Sequence, residues 1–310
     1  MNKPISYRHT QTASLASHLT RLALILLRRK TSIEREIIRN RFRHRAAPLP
    51  AALQRLCHIS RTTVNGRPVL TLRPRQNPSR CTVFYLHGGA YTRNITRFHW
   101  HMIRRLIALT NASFVVPDYP LAPDAGWCDV YEFTRQAWQQ LTEHTAAQDI
   151  ILMGDSAGAG LALGFAQQLQ AEHSPQPGQI ILLSPWLDIA SDNPAMAAIE
   201  SADHMLAQRG LQRAAGLYAA GISPHSYLVS PLYGDFSQLA PLSVFTGTAD
   251  ILYPDVLKLR DRLSADHIPL NYFEYPRMMH VWMAVNLLPE AQQAQRQIAG
   301  LICSVPATAS

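Results

Sequence analysis

The chain has 310 residues, of which 47% are hydrophobic and only 16% are charged, and this composition excludes an intrinsically disordered protein. Its four cysteines (Cys57, Cys81, Cys128 and Cys303) are scattered without a CxxC pair, so neither a zinc site nor a disulfide framework is indicated. The net charge of +8 arises from residues 1–47, where eleven Lys and Arg against two Glu give +9. The rest of the chain has 18 basic and 19 acidic residues, a net charge of −1, so no nucleic-acid partner is expected.

The basic N-terminal segment carries two predicted helices. Residues 12–30 place four leucines three or four positions apart, which is the spacing of one helix face. These leucines are Leu15, Leu19, Leu22 and Leu26. A second helix is predicted to begin at Thr31, whose hydroxyl and Glu34 match a capping box. Residues 1–50 are therefore interpreted as a helical piece that forms part of a cap.

No secretion signal is evident in this segment. The apolar run 22–27 is too short to span a membrane, and Arg28-Arg29-Lys30 follows it where a cleavage region would lie. A cytoplasmic protein is therefore expected. A basic amphipathic segment can touch anionic lipid, so weak peripheral membrane contact stays open beside the simpler interpretation, a solvated outer face.

The next part of the sequence alternates between strand and helix patterns. Two strand-like runs, Cys57–Val64 and Pro68–Arg73, are joined through Asn65-Gly66, the strongest short signal for a β-hairpin. Further strands are predicted at Thr82–Leu86, Ser113–Val116, Ile150–Met153, Ile180–Leu183, Leu242–Thr246 and Leu270–Tyr275. Helices are predicted at Trp100–Leu109, Val130–Leu141, Leu161–Glu172 and Val256–Leu263. This alternation predicts an α/β fold with a mostly parallel sheet of about eight strands and helices on both faces.

One stretch interrupts the alternation. Residues 189–239 contain no convincing strand, only helical patches at Met196–Gln208 and Leu211–Ala220 between proline-rich loops. Long insertions in compact domains are usually functional, so this one is predicted to form a cap over the site. The main domain is accordingly expected to cover residues 51–302.

The first chemical signal is Gly154-Asp155-Ser156-Ala157-Gly158, a G-x-S-x-G pattern. It lies between a predicted buried strand and a predicted helix, and a serine at such a turn is the nucleophile elbow of hydrolases. Both glycines are needed because a Cβ at either position would crowd the neighbouring strand and helix. Ser156 is therefore the candidate nucleophile.

The second signal is His87-Gly88-Gly89-Ala90, directly after a predicted strand. Acyl transfer produces a tetrahedral oxyanion, and backbone N–H groups of a glycine-rich loop can approach it closely. We expect Gly88, Gly89 and Ala90, together with the N–H of Ala157, to form an oxyanion hole. His87 is expected to support this loop.

With these motifs the sequence resembles the hormone-sensitive-lipase-like branch of the α/β-hydrolases, known as carboxylesterases and lipases. The resemblance covers about residues 80–290 and includes the stretches Asp118–Asp124 and Ser184–Asp188. Two departures stand out. Ala90 replaces the usual last glycine of the HGGG loop, which keeps the N–H but implies a narrower acyl pocket. The usual Tyr-Arg-Leu-Ala-Pro-Glu is Tyr-Pro-Leu-Ala-Pro-Asp here, which alters a structural loop.

The chain order Ser…Asp…His of this fold directs the search for the acid and the base. Asp250 follows a predicted strand, where α/β sites gather, and is preferred over Asp255, which lies at a helix start. Asp188 precedes the cap insertion and is interpreted as structural. Of thirteen histidines, His280 is the candidate base because it follows the last strand near the chain end. Three others are less suitable: His267 precedes that strand, and His204 and His225 lie in the cap.

The resulting hypothesis is a serine carboxylesterase that acts on a small-molecule ester through an acyl-enzyme, with no metal or organic cofactor. The resemblance implies a preference for short to medium acyl chains. Three cap residues, Met205, Leu211 and Tyr218, are candidates for shaping the pocket. An amidase or peptidase on the same fold stays open, as does a catalytically silent binding protein, although four intact site features argue against silence.

Overall fold

The computed structural model describes residues 3–42 and 44–304, and its centre is a nine-stranded sheet. The strands are β1 Ser6–Arg8, β2 Cys57–Val64, β3 Arg67–Pro74, β4 Thr82–Leu86, β5 Ser113–Pro117, β6 Ile150–Asp155, β7 Gln179–Leu183, β8 Leu242–Gly247 and β9 Leu270–Tyr275. Their order across the sheet is β1-β9-β8-β7-β6-β4-β5-β3-β2. The predicted α/β fold is confirmed, with one strand more than expected.

In the order in which the strands lie across the sheet, the first seven, from β1 through β9 to β5, are parallel. Only β3 and β2, at the opposite side of the sheet, are antiparallel to their neighbours. There β2 and β3 form the predicted hairpin, with Val64 opposite Arg67. Asn65 and Gly66 between them both have positive φ, at 47° and 75°. Such angles match the twist of the flanking strands, which explains why this dipeptide makes the turn.

Ten helices accompany the strands in the described residues. They are α1 Leu15–Leu26, α2 Arg29–Ile38, α3 Ala51–Leu56, α4 Arg97–Thr110, α5 Trp127–Thr142, α6 Ala157–Ala171, α7 Ala195–Glu200, α8 Gln208–Ala219, α9 Tyr253–Ala265 and α10 Pro289–Cys303. Single 3-10 turns lie at Ala147–Asp149, Pro231–Tyr233 and Trp282–Ala284. No described helix is both long and apolar enough to cross a bilayer.

The helices cover both faces of the sheet because the buried strands are apolar on both sides. Alternate residues of β4 show this: Phe84 and Leu86 belong to the core that contains α5, α6 and α9. Val83 and Tyr85 belong to the opposite core, with α3, α4 and α10. The carboxyl ends of the parallel strands therefore lie together between two packed layers, and the candidate site is located at these ends.

The N-terminal segment contacts the insertion at 189–239. Arg21 of α1 donates to His204 at 2.9 Å, and Arg213 of α8 donates to Asn40 after α2 at 3.0 Å. Helices α2 and α8 also pack together. These contacts support our proposal that residues 1–50 and the insertion form one cap, although β1 shows that the segment also extends the sheet.

Two predicted details of the cap are wrong. Helix α2 begins at Arg29, not Thr31, and no side chain caps it, so the capping box does not form. The helix predicted at Met196–Gln208 ends at Glu200. The break occurs because the Asp203 carboxylate accepts the N–H groups of Met205 and Leu206, at 2.7 and 2.8 Å, which competes with helical bonding.

Candidate active site

Ser156 lies at a sharp turn between β6 and α6. Its backbone has φ 53° and ψ −122°, a left-handed region that residues with a side chain rarely occupy. A Cβ on Gly154 would overlap the Gly158 carbonyl, and one on Gly158 would overlap the carbonyls of Leu86 and His87. The crowding predicted at both glycines is confirmed, and the turn matches a nucleophile elbow.

The three candidate catalytic side chains form one hydrogen-bonded chain. His280 Nε2 lies 2.8 Å from Ser156 Oγ, and His280 Nδ1 lies 2.8 Å from Asp250 Oδ2. If Nδ1–H donates to the carboxylate, Nε2 is free to accept the serine proton. Ser156, His280 and Asp250 are 7%, 5% and 0% exposed, so these hydrogen bonds are shielded from water.

The loops that carry Asp250 and His280 are tied to each other. The N–H of Thr248 donates to the Tyr275 carbonyl, and the N–H of Ala249 donates to the Met278 carbonyl, both at 3.1 Å. On the other side of the histidine, the Val281 N–H donates to Ser184 Oγ at 3.1 Å. Neighbouring strands therefore hold the acid and the base in register.

The surroundings of His280 favour its charged form. Burial alone would lower the pKa of His280, but the facing Asp250 carboxylate, helped by Asp203 and Asp155, raises it above the ordinary 6.5. A positive charge that develops on the imidazole when it takes a proton is therefore stabilised. The imidazole can act as a general base only above that raised pKa.

The loop after β4 lies beside the elbow, but its N–H groups are not equivalent. The N–H of Gly88 donates to Asp155 Oδ1 at 2.9 Å and is not available to a substrate. In the described part of the chain, the N–H groups of Gly89, Ala90 and Ala157 have no acceptor. The proposed oxyanion hole therefore has three donors, and the prediction that Gly88 is one of them is wrong.

His87 supports the same loop. Its Nδ1 lies 2.8 Å from the Gly88 carbonyl oxygen, and its ring stacks on Tyr119 with centroids 4.4 Å apart. Burial lowers the pKa of His87 to about 4, so the ring is neutral at pH 7. It is a structural neighbour of the site and contacts none of the three candidate catalytic residues through a hydrogen bond among the described atoms.

A buried network below the loop was missed by sequence reasoning. The Asp155 carboxylate accepts from Tyr85 Oη as well as from Gly88, and His99 Nε2 lies 3.2 Å from its second oxygen. Burial alone would raise the pKa of Asp155, but His99, Tyr85 and Gly88 lower it to about 2. A permanent carboxylate therefore joins the elbow to the oxyanion loop.

Comparisons with known proteins agree with this geometry. The profile of a family described as having the alpha/beta hydrolase fold matches residues 83–284. An acetyl-hydrolase of Streptomyces hygroscopicus is 31% identical over 72% of this chain and 75% of its own. The chain belongs to the alpha/beta-hydrolase family.

Further relatives narrow the type of hydrolase. An esterase of Acinetobacter venetianus is 28% identical over 83% of this chain and 88% of its own. The crystal structure of an esterase from the bacterial hormone-sensitive lipase family superposes with a TM-score of 0.79 at 25% identity, covering 94% and 99% of the two chains. The resemblance drawn from the motifs is confirmed, and the chain is an esterase-type or lipase-type hydrolase.

A second acidic residue of this hydrolase lies close to the loops that carry Asp250 and His280. Asp203, in the cap, accepts the N–H of Ile251 at 2.9 Å through the oxygen that does not bind Met205 and Leu206. Burial and the neighbouring Asp250 raise the pKa of Asp203 to about 6. No local motif marks this residue, so sequence reasoning missed it.

The other candidate acids of the hydrolase lie elsewhere. Asp255 accepts from Asn193 Nδ2 at 2.7 Å. It therefore binds the cap and not the imidazole of His280. Asp188 accepts from Tyr233 Oη at 2.6 Å and from the Ala190 N–H at 2.9 Å, which fits the structural interpretation.

The remaining histidines also lie outside the hydrogen-bonded chain. His267 precedes β9 at the opposite edge of the sheet, and His225 packs edge-on against Tyr233. His204 receives the hydrogen bond from Arg21 and lines a cavity under α1.

The cap residues chosen as pocket candidates have different positions. Tyr218 is fully buried and stacks on Tyr91, the residue after the oxyanion loop, with centroids 3.6 Å apart. The ring of Trp186 also lies near Tyr91, with centroids 6.0 Å apart. Leu211 is buried in the same core, whereas Met205 lies in the turn that Asp203 holds. Aromatic rings therefore fill the space next to Ala90.

Proposed function

We propose that the hydrolase cleaves carboxylic esters of short acyl chains by a serine mechanism, with Ser156 as the nucleophile. The observation that carries the proposal is the hydrogen-bonded chain from Ser156 Oγ through His280 to Asp250, located at a nucleophile elbow. A buried serine with a base 2.8 Å away and an acid behind that base is the arrangement that activates a hydroxyl group.

The mechanism follows from the positions of these groups. His280 Nε2 takes the proton as Ser156 Oγ attacks the ester carbonyl, and Asp250 stabilises the imidazolium that forms. The N–H groups of Gly89, Ala90 and Ala157 bind the oxyanion of the tetrahedral intermediate. His280 then returns the proton to the leaving alkoxide, which leaves an acyl group on Ser156.

Water completes the cycle. His280 removes a proton from a water molecule, which attacks the acyl carbonyl and forms a second tetrahedral intermediate at the same donors. Collapse of this intermediate breaks the bond to Ser156 Oγ, which takes the proton back from His280 Nε2, and the carboxylic acid is released. The chain's own residues supply every proton transfer in this sequence.

The preference for short acyl chains is supported by two observations. The aromatic stack of Tyr91 and Tyr218, with Trp186 beside it, occupies the space next to the oxyanion loop. Three relatives are named for acetyl groups, among them an acetyl esterase of Salmonella typhi that is 26% identical over 76% of this chain and 75% of its own. We therefore propose acetyl and butyryl esters as the best substrates.

The test is hydrolysis of p-nitrophenyl acetate, butyrate, octanoate and dodecanoate by the wild type and Ser156→Ala. Loss of the nucleophile should reduce kcat by about 10³-fold or more, and kcat/KM of the wild type should fall with chain length. Ser243→Ala is a matched control, because it removes a hydroxyl that is 0% exposed in the amino-terminal half of β8. Wild-type turnover that persists in Ser156→Ala would refute the mechanism, and a maximum at dodecanoate would refute the acyl preference.

A further inference from the structure

Helix α1 turns four of its five leucines away from the protein. The predicted leucine face forms, but Leu15, Leu19, Leu22 and Leu26 are 74%, 57%, 50% and 72% exposed. We call these four residues the leucine ridge. None of the twelve residues of α1 is buried, so the ridge has no partner in the described chain.

The exposure is not explained by a loose helix. The Ser14 backbone N–H and side-chain hydroxyl donate to Glu290 of α10 at 2.6 and 2.9 Å, which fixes the start of α1. Arg21 binds His204 of the cap, and Ser17 Oγ lies 3.9 Å from Met278 Sδ. The small and polar face of α1 therefore contacts the protein, and the leucine face is presented outward in a fixed orientation.

The surroundings of the ridge are strongly basic. No acidic residue precedes Glu34 in the sequence. After α1, four arginines line a surface hollow of about 370 Å³, with Leu27 at its edge. They are Arg28, Arg35, Arg39 and Arg41. Glu36 also lines the hollow but is paired with Arg93 at 3.3 Å, and no described carboxylate pairs with the four arginines.

We propose that α1 and α2 dock this hydrolase on the surface of an anionic phospholipid bilayer. The leucine ridge would enter the interfacial region, as the apolar face of a helix lying in the membrane plane does, while the arginine hollow binds headgroup phosphates. A second copy of the chain fits less well, because it would bring one segment of net charge +9 against another. The leucine ridge and the four arginines of the hollow together complement a surface that is apolar inside and negatively charged outside.

Docking in this orientation places the lipid close to the candidate site. A cavity of about 210 Å³ lies under α1, between Ser17 and Leu24 on one side and Ala249 and Met279 on the other. Ala249 and Met279 directly precede Asp250 and His280 in the chain. Only this step rests on the proposed function, since the docking surface itself requires no hydrolysis.

The experiment is vesicle flotation of the full-length protein with phosphatidylcholine alone and with 30% phosphatidylglycerol. Wild-type protein should float with the anionic vesicles and largely detach at 500 mM NaCl. Leu22→Gln/Leu26→Gln keeps helix propensity and should weaken binding by about tenfold or more. Arg35→Gln/Arg39→Gln should weaken it by about fivefold per arginine.

Controls separate docking from folding and from catalysis. Leu109→Gln changes a leucine that is 44% exposed at the end of α4, just before the amino-terminal end of β5, and should bind like the wild type. All these variants should hydrolyse p-nitrophenyl acetate normally, and Ser156→Ala should still float.

Two outcomes would overturn the proposal. Equal flotation of the wild type and Leu22→Gln/Leu26→Gln would show that the ridge does not bind lipid. A dimer in light scattering that the same double variant converts to a monomer would instead assign the ridge to a second copy of the chain.

Discussion

Two apolar helices of this hydrolase have opposite surroundings. In α6, twelve of fifteen residues are buried, whereas α1 has no buried residue at all. Small residues explain the difference. Gly158 and Gly160 let the backbone of α6 approach neighbouring carbonyl groups, and a Cβ on either would overlap them. In α1, by contrast, four leucines are exposed on the outer face, so apolar content alone does not determine which helix enters the core.

The largest expected effect contrasts one leucine from each helix. Leu163 of α6 is 0% exposed, and Leu163→Ala should lower the free energy of unfolding by about 2–5 kcal/mol through lost burial and a cavity. Leu19 of α1 is 57% exposed, and Leu19→Ala should change it by no more than about 0.5 kcal/mol. Urea unfolding followed by circular dichroism measures both. Similar losses would mean that α1 is covered in solution.

The second effect tests whether close approach is what admits α6 to the core. Gly158→Ala should cost about 1–3 kcal/mol, because the added methyl meets the fixed carbonyls of Leu86 and His87. It should also reduce hydrolysis by displacing the oxyanion loop. In α8, nothing lies within 4 Å of a Cβ on Gly216, and Gly216→Ala should stabilise by about 0.5–1 kcal/mol. Thermal unfolding measures the stability of both variants, and hydrolysis of p-nitrophenyl acetate measures their activity. A Gly158→Ala protein with unchanged stability would contradict the packing argument.

The smallest effect concerns how a cap residue, Asp203, changes the pKa of the buried His280. Because neutral His280 is the proposed base and its pKa is raised above 6.5, kcat/KM should fall as the pH decreases through this raised pKa. The Asp203 charge contributes to the raised pKa, so Asp203→Asn should move the acidic limb to lower pH. Since the pKa of Asp203 is itself about 6, the difference should fade below that pH.

Asp192→Asn provides the matched control for this pH profile. It removes the same charge from an exposed position of the cap and should leave the acidic limb unchanged. A loss of activity in Asp203→Asn at every pH, with the limb unmoved, would assign Asp203 a purely structural role.

Sequence reasoning reached the candidate site because its parts follow strand ends. The elbow, the oxyanion loop, Asp250 and His280 each follow a recognisable buried strand, directly or after a short loop, and the carboxyl ends of parallel strands lie together. A short motif at Ser156 and the chain order of the triad were then sufficient. The structure brings these residues together, and their catalytic roles stay predictions for the assays above.

The features that were missed depend on contacts distant in sequence. Strand β1 has three residues and exists through pairing with β9, so it lacks a periodic pattern of its own. Asp203 meets Ile251, which is 48 residues away. The arrangement of α1 was also not readable, because a leucine face predicts a helix but not which side of it meets the protein.

The two ends of the candidate site belong to different parts of the molecule. Asp155 fastens the oxyanion loop from inside the sheet core, through Tyr85 and Gly88. The loop of the candidate acid Asp250 is bound to the cap as well as to the His280 loop, because Asp203 accepts the N–H of Ile251. A designer who exchanges the cap to change substrate range must therefore keep a carboxylate in place of Asp203, and also an aromatic ring in place of Tyr218, which stacks on Tyr91 beside the oxyanion loop.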